Sequence, residues 1–529
     1  MGIVDDLRGL LKGEVLDDSA TLETYSRDAS LYRMRPEVVV RPKDVADVQA
    51  LVRYANEHPG VSLTPRAAGT CMSGGPLTQS VVVDMMAHFD RVIEVNDGYA
   101  VTEPGVYFRD FDRETRKKGY ELPSYTASRE LCAVGGMVGN NAGGEKHLKY
   151  GKTATYVQEL DVVMSDGQVH TLNSEAVTEY AQKLGVLLSK HKELIQEHKP
   201  KVRKNSSGYA LWDLNPEKPN LARLMVGAQG TLGIVTKIKF GLVKPKPFAA
   251  MTVLFVKDLH ELGALVPGVL AYQPDSFESY DDHTFKLAAK YFFEFAKQMK
   301  SGLVGLGISF LPELIMMLLG GVPKLVLLAE FRADTQAEAT RKAEKLARDL
   351  RLHVQSVGVR VAKNERAARK YWVVRRESFS LLRKKVRGKR TAPFIDDFVV
   401  PPPTLPVFLP RLQKILDEYN LLYTIAGHVG DGNFHIIPLI DPTDARMPQV
   451  IEELSKRVYD LVSEYQGSIS GEHNDGLVRT PFVEQMFGKE MYALFGQVKQ
   501  LFDPKGIFNP GKKVGTTYAQ SATYLDLGK

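Results

Sequence analysis

The apolar positions of the first part of the chain come in short blocks, each followed by a change of period. Val38-Val39-Val40 is a continuous apolar triplet, as expected of a short strand covered on both faces. Pro42 and Asp44 then open a run over 45–55 whose apolar members, Val45, Val48, Leu51, Val52 and Ala55, recur at helical spacing. Val61-Ser62-Leu63-Thr64 and Val81-Val82-Val83-Asp84 predict two further strands, so this region reads as a compact α/β unit. From about residue 248 the pattern changes. Runs at 252–256, 324–331 and 394–400 predict strands of a second sheet, with a helix over 337–350 between two of them. Strand, helix and strand separated by long insertions predict an α/β cap domain with an antiparallel sheet, and an α+β chain as a whole. Two insertions, 173–206 and 291–322, read as helical additions. Within the second, 302–319 is the most apolar run of the chain, but Pro312 and Glu313 interrupt it. A spanning helix needs about twenty predominantly apolar residues, so a buried helical insertion is the expectation there.

Length and composition narrow the classes. At 529 residues the chain is too long for one core, and two or three domains are expected. Hydrophobic content of 44% and charged content of 25% are ordinary for a globular protein. A net charge of +6 suits anionic substrates or loose contact with an acidic membrane face, and it is no signature of nucleic-acid binding. The two cysteines, Cys71 and Cys132, exclude a disulfide framework and point to a reducing compartment. They also exclude an all-cysteine iron–sulfur cluster within this chain, which needs four thiolates. The opening Met1-Gly2-Ile3-Val4-Asp5-Asp6 lacks the apolar run of a secretory signal, and Asp6 stands where a myristoylation motif needs Ser or Thr. The expected location is the cytoplasm, with peripheral contact at the inner face of the membrane left open.

The densest chemistry lies at Gly427-His428-Val429-Gly430-Asp431-Gly432-Asn433-Phe434-His435, followed by Gly471-Glu472-His473-Asn474-Asp475-Gly476. Asp431-Gly432 between apolar residues is a two-residue hairpin signal. That turn would set His428 directly opposite His435 on one face, with Cβ atoms about 4.5–5.5 Å apart. Two imidazoles so held can grip one divalent metal, with Glu472 as third ligand, and His2Glu with an open position is a known catalytic zinc arrangement. His473 then stands beside the metal as a proton carrier. The competing reading is a hairpin whose histidines only cap a sheet edge.

Three small-residue loops suit a large anionic ligand approached closely by backbone N–H groups. The first is Pro65-Arg66-Ala67-Ala68-Gly69-Thr70-Cys71-Met72-Ser73-Gly74-Gly75. Leu122-Pro123-Ser124 and Val134-Gly135-Gly136-Met137-Val138-Gly139-Asn140-Asn141-Ala142-Gly143-Gly144 form the second, and Gly227-Ala228-Gln229-Gly230-Thr231-Leu232-Gly233-Ile234-Val235-Thr236 opens a strand as the third. None carries the G-x-G-x-x-G strand–turn–helix fingerprint, which argues against a nicotinamide-binding unit.

Together these loops resemble the FAD-binding domain of vanillyl-alcohol-oxidase-type (VAO/PCMH) flavoproteins. His428, His435, Glu472 and His473, with the closing Phe502-Asp503-Pro504-Lys505-Gly506-Ile507-Phe508-Asn509-Pro510-Gly511-Lys512, resemble the branch of D-lactate, D-2-hydroxyglutarate and glycolate dehydrogenases. The likeness runs from about 37 to 512. It implies a PCMH-type FAD domain over 1–245, a substrate-binding cap over 246–465 and a segment, 466–529, that returns to complete the active site. Pro104 and Asn509 join the loop residues as implied FAD contacts. The attachment histidine of some relatives is missing and Cys132 is not at the cysteinyl-flavin offset, so the FAD is expected to be non-covalent. Arg375, in Trp372-Val373-Val374-Arg375, matches the arginine that binds the substrate carboxylate, work that suits its planar fork. Asn433 is the other implied substrate contact. The lysine that adds a second contact in the hydroxyglutarate enzymes falls on Ile395. A dicarboxylate would therefore need Lys389 or Arg390, from the basic run 383–390, to reach in.

The implied function is oxidation of a small D-2-hydroxy acid, D-lactate-like or D-2-hydroxyglutarate-like, to the 2-oxo acid by hydride transfer to FAD. Zinc or a similar divalent metal on His428, His435 and Glu472 would assist, with His473 as base. The electrons would pass to an acceptor outside the chain: a quinone, an electron-transfer flavoprotein or an iron–sulfur subunit. The Glu-His-Asn-Asp form departs from the commoner Glu-His-Gly and is similar to a subgroup associated with iron–sulfur modules. Two alternatives are an alkylglycerone-phosphate-synthase-like flavin transferase and a non-catalytic FAD subunit of an electron-transfer complex.

Overall fold

The computed structural model describes residues 2–176, 178–282, 284, 321–354, 356–385 and 388–527, with backbone alone for 377–385. The expected apolar insertion 302–319 lies outside the described residues, as does nearly all of 291–322 and much of the basic run 383–390. The chain divides into two compact units. One comprises Met1–Gly144, Gly151–Pro245 and Ser468–Lys529, and the other Glu145–Tyr150 and Lys246–Gly467.

The first unit holds two sheets. A four-stranded sheet has the order Glu14–Leu16, Val38–Arg41, Val81–Asp84, Leu63–Arg66. Its last three strands are parallel and the first is antiparallel to its neighbour. Period-two alternation places Val38 and Val40 in a core with Val48, Leu51 and Val52 of the helix Val45–Glu57. Val39 packs on the other side with Val82 and Leu22, which is why the triplet is apolar throughout. Each such buried valine contributes about 1.5–3 kcal/mol relative to exposure. Asp44 caps that helix by accepting from the Asp47 N–H. A five-stranded antiparallel sheet follows, in the order Val92–Asn96, Tyr99–Thr102, Ile234–Gly241, Val157–Val163, Val169–Leu172.

The second unit is built on an eight-stranded antiparallel sheet. Its order is Gly358–Ala362, Phe248–Val256, Leu325–Ala333, Ser276–Asp281, Leu422–His428, Asn433–Ile440, Arg390–Thr391, with Phe398–Val399 also pairing on Asn433–Ile440. Met251, Val253, Phe255, Tyr280, Val326 and Leu328 pack against Ala368, Tyr371 and Trp372 of the helix Glu365–Lys385. The expected helix over 337–350 runs as Gln336–His353, capped by Thr335. The strand expected over 394–400 shrinks to Phe398–Val399 because Asp397 adopts φ +77°, which breaks extended pairing. Among the described residues, no helix is long and apolar enough to cross a membrane.

Candidate functional site

The hairpin departs from its expected register. A four-residue connection, Val429 to Gly432, replaces the two-residue turn, with a 3-10 turn over Val429–Asp431 and Gly432 left-handed at φ +70°. His428 therefore pairs with Asn433 and Ala426 with His435, not His428 with His435. The cause is that only Gly432 takes positive φ, whereas a type I′ turn needs it at both centres. A Cβ on Gly432 would also fall 1.8 Å from the Val400 carbonyl oxygen. The slip is by an even number, so both imidazoles keep one face as diagonal neighbours. Their ring centroids are 5.3 Å apart and nearly perpendicular.

Within the second unit a carboxylate that no motif marked, Glu278, joins two of the expected site residues. It lies on the strand Ser276–Asp281, and its side chain is 1% exposed. His428 Nδ1 sits 2.6 Å from Glu278 Oε1, and Arg375 Nη2 lies 2.5 Å from Glu278 Oε2. A carboxylate only accepts, so His428 donates from Nδ1 and Nε2 carries the lone pair a metal needs. Arg375 reaches Glu278 because it lies three positions after Trp372 and four after Tyr371, on the core-facing side of its helix. Asn433, expected as a substrate contact, has no exposed surface, and its amide nitrogen donates to Asp397 Oδ1 and the Phe398 carbonyl, which ties strands together. Ile395 is also fully buried, whereas Lys389 is exposed.

The expected segment 471–476 belongs to the first unit and is held there by buried cations. Lys204, with no side-chain exposure, donates to Glu472 Oε2 at 2.8 Å. Lys152 donates to the Gly471 carbonyl at 2.8 Å, and Arg479 to the Ile469 and Asn474 carbonyls. Lys513 donates to Asp475 Oδ2 at 3.0 Å, and burial pulls its pKa below the usual lysine value against the opposing pull of Asp475. Asn474 adopts φ +69°, a conformation that glycine and asparagine tolerate best, which explains an asparagine where Glu-His-Gly is commoner. Its amide bonds to the Asn140 and Gly227 carbonyls, an anchorage that glycine lacks. Gly476 has no room for a side chain, since a Cβ would meet the Ser73 carbonyl oxygen at 2.1 Å. The His473 carbonyl accepts from Ser73 Oγ at 3.1 Å.

The small-residue loops converge within the same unit. Gln229 is their hub. Its amide nitrogen donates to Asn140 Oδ1 and Ser73 Oγ, and its oxygen accepts from Gly476 N–H. Asn509 adds bonds to the Gly75 and Gln229 carbonyls and accepts from Thr64 Oγ1. Asn509 is 1% exposed, Ile234 lies in the core, and Arg66 donates to the Tyr25 and Arg27 carbonyls, so these three side chains serve the scaffold. Pro104 and Pro123 are buried, and Pro104 accepts from Gly135 N–H. Along the helix Val134–Asn140, Gly135, Gly136, Gly139 and Asn140 keep partial exposure. A Cβ at Gly139 would meet nothing within 4 Å. The buried Ser124 hydroxyl has no hydrogen-bond partner. A bare backbone strip and an unanswered hydroxyl fit a large cofactor laid across these loops. Cys132 is buried by packing, and burial raises the pKa of its thiol.

The comparisons with known proteins agree with that fit. Residues 246–513, more than half of the chain, match the family described as FAD linked oxidases, C-terminal domain, and residues 36–173 match an FAD binding domain. The chain belongs to the FAD-linked oxidase family. It is 28% identical over 529 residues to the D-2-hydroxyglutarate dehydrogenase of Pseudomonas putida, covering 95% of this chain and 50% of that one. The chain thus spans about half the length of the first curated relatives it matches. It is 27% identical to the glycolate oxidase subunit GlcD of Bacillus subtilis, covering 94% of this chain and 93% of that one. It is likewise 27% identical to the D-2-hydroxyglutarate dehydrogenase of Stutzerimonas stutzeri, covering 96% and 98%. In fold it is similar to p-cresol methylhydroxylase at a TM-score of 0.70 and 17% identity, covering 96% of each chain. It is also similar to an alkyldihydroxyacetonephosphate synthase at 0.67 and 16%, covering 94% of this chain and 83% of that one.

Proposed function

We propose that this FAD-linked oxidase-family chain is a dehydrogenase of small D-2-hydroxy acids, with His428, His435 and Glu472 as ligands of zinc or a similar divalent metal and His473 as base. The observation that carries the reading is Glu278, one buried carboxylate that holds both His428 and Arg375. A carboxylate behind a ligand histidine fixes its tautomer and raises its basicity, and metal-ligating carboxylates are themselves hydrogen-bonded, as Glu472 is by Lys204. The relatives' names support the substrate class.

Each residue has a separate task. Arg375 receives the substrate carboxylate and, held by Glu278, does so in a fixed orientation. His428, His435 and Glu472 would hold the metal, whose contribution is to polarise the substrate hydroxyl and lower its pKa. His473 takes the hydroxyl proton, since an imidazole with an ordinary value near 6.5 is a competent base near neutral pH. The loops joined by Gln229 would hold FAD without a covalent bond, and bound FAD supplies the acceptor for the α-hydrogen and its electron pair. The 2-oxo acid is the product. The electrons then leave to an acceptor outside the chain, for which we propose a quinone, an electron-transfer flavoprotein or an iron–sulfur partner.

Anaerobic mixing with paired D- and L-2-hydroxy acids, followed by flavin absorbance, tests this directly. A D-2-hydroxy acid should bleach the flavin band and its L-enantiomer should not. His473→Asn should keep flavin and metal and lose roughly 10²–10⁴-fold in bleaching rate. Full-rate bleaching by metal-stripped protein, or by His473→Asn, would overturn the assignment.

A further inference from the structure

The second unit contains one short piece of chain from far outside its main span, Glu145–Tyr150. Glu145, His147 and Lys149 each make an ion contact on or next to an element that adjoins a proposed site residue. Glu145 meets Arg376 through both carboxylate oxygens, at 2.6 and 2.7 Å, beside Arg375 on the helix Glu365–Lys385. Lys149 Nζ lies 2.5 Å from Asp275 Oδ1, immediately before the strand that carries Glu278. His147 Nδ1 lies 3.0 Å from Asp431 Oδ1, inside the loop that joins His428 to His435.

That loop is enclosed. The Asp431 side chain is 2% exposed and that of His147 8%. A Cβ on Gly430 would meet Leu148 Cδ2 at 3.1 Å and Phe277 Cβ at 3.0 Å, so the segment and the Glu278 strand both press on the turn. From the other side Val400 N–H donates to the Gly432 carbonyl at 3.0 Å. A buried carboxylate in a turn is expensive unless a cation or donors face it. His147 is a cation-forming side chain that faces Asp431 across this 3.0 Å ion contact and so bears on the shape of the four-residue turn. The shape matters because it sets the diagonal placement of the two imidazoles.

We infer that 145–150 is a positioning clamp for the proposed metal and carboxylate site, and that His147, through Asp431, is the positioning residue for the His428/His435 pair. The inference rests on the metal reading above. The test uses the full FAD-loaded chain and Zn2+ itself, with affinity measured by competition against a chelating dye. His147→Ala and the near-isosteric Asp431→Asn should each weaken Zn2+ binding roughly 10–100-fold, as loss of a ligand's supporting shell does. The double variant should be no weaker than the worse single, because both remove one contact. His147→Gln keeps a donor towards Asp431 and should recover affinity to within a few-fold of wild type. FAD content should stay at one per chain in all four. Unchanged Zn2+ affinity in His147→Ala and Asp431→Asn, with wild type binding tightly, overturns the clamp and leaves the metal reading standing. Equal loss in His147→Gln and His147→Ala also overturns it, since a donor at that place would then do nothing. Wild type that does not bind Zn2+ overturns the metal reading, and the clamp with it.

Discussion

At the scale of single residues, the site is organised by charges that sit behind the groups proposed to do chemistry. Glu278 stands behind His428 and Arg375, and Lys204 behind Glu472. Such pairs are weak evidence for stability, because desolvation offsets most of the Coulomb attraction, but breaking one strands its partner. Glu278→Gln removes the buried charge that faces Arg375 and should destabilise the fold by about 3–5 kcal/mol. It should also weaken Zn2+ binding roughly 10–100-fold, read by chelator competition at a temperature where the variant remains folded. A variant as stable and as zinc-avid as wild type would contradict the role given to Glu278. Lys512 offers a separate test through pH. Burial lowers its pKa from 10.5 to about 8, against the attraction of Asp28, while its ammonium donates to the Leu77 carbonyl. A lysine lowered in the fold is neutral there but still protonated when unfolded between about pH 8 and 10.5. The unfolded chain binds more protons in that window, so stability from this group rises with pH across it. Denaturant midpoints should climb between pH 8 and 10.5 in wild type by more than in Lys512→Met, in which that rise disappears; parallel curves would refute it.

The elements show what can be read locally and what cannot. The strand Val38–Arg41 and the helix Val45–Glu57 were legible because pattern, cap and burial all lie within a few residues of each other. The hairpin was legible as a hairpin, and its imidazoles as sharing a face, but its register was not. Asp431-Gly432 carries a two-residue signal, and only contacts from outside the hairpin select the longer turn: the Val400 carbonyl against Gly432 and Leu148 against Gly430. Glu278 was illegible for the same reason, being 150 positions from His428 on an otherwise ordinary strand. Lys204 lies 268 positions from Glu472. Gln229, which joins three loops, gave its signal only as a residue beside Gly230, and its own φ of +52° appears only in the fold. Arg66 and Asn509 were legible as members of cofactor loops, but their side chains turn to backbone carbonyls of the scaffold. At this scale Gly432→Ala is the sharpest test. The new Cβ would collide with Val400 and sit at positive φ, so the turn must open and the imidazoles separate. Zn2+ affinity should fall by at least an order of magnitude while bound FAD persists, because the FAD-binding match at 36–173 lies elsewhere in the chain. Wild-type zinc affinity in Gly432→Ala would mean that the turn does not set the imidazoles.

Over the whole molecule, the small-residue loops gather in one unit and Arg375, Glu278 and His428 in the other. Family models match on both sides of that division, an FAD binding domain over 36–173 and the FAD linked oxidases, C-terminal domain, over 246–513. Relatives of two lengths match the chain, which covers 50% of the Pseudomonas putida dehydrogenase and 98% of the Stutzerimonas stutzeri one. Two thiols, Cys71 and Cys132, are present in this chain, and both are free. An all-cysteine cluster needs four, so a second redox centre of that kind must lie on another polypeptide or a further segment. Neither thiol is poised for redox work, since burial raises the pKa of each. The acceptor outside the chain proposed above is open to a direct test. Under steady substrate, an artificial dye or a soluble quinone analogue should support turnover at least tenfold faster than air-saturated buffer does. Acid precipitation of the same preparation should release the yellow cofactor to the supernatant, as expected of the non-covalent FAD proposed above. Oxygen turnover matching the dye would mean an oxidase that needs no partner, and colour retained in the pellet would mean a covalent flavin; either result would remove the corresponding part of the assignment.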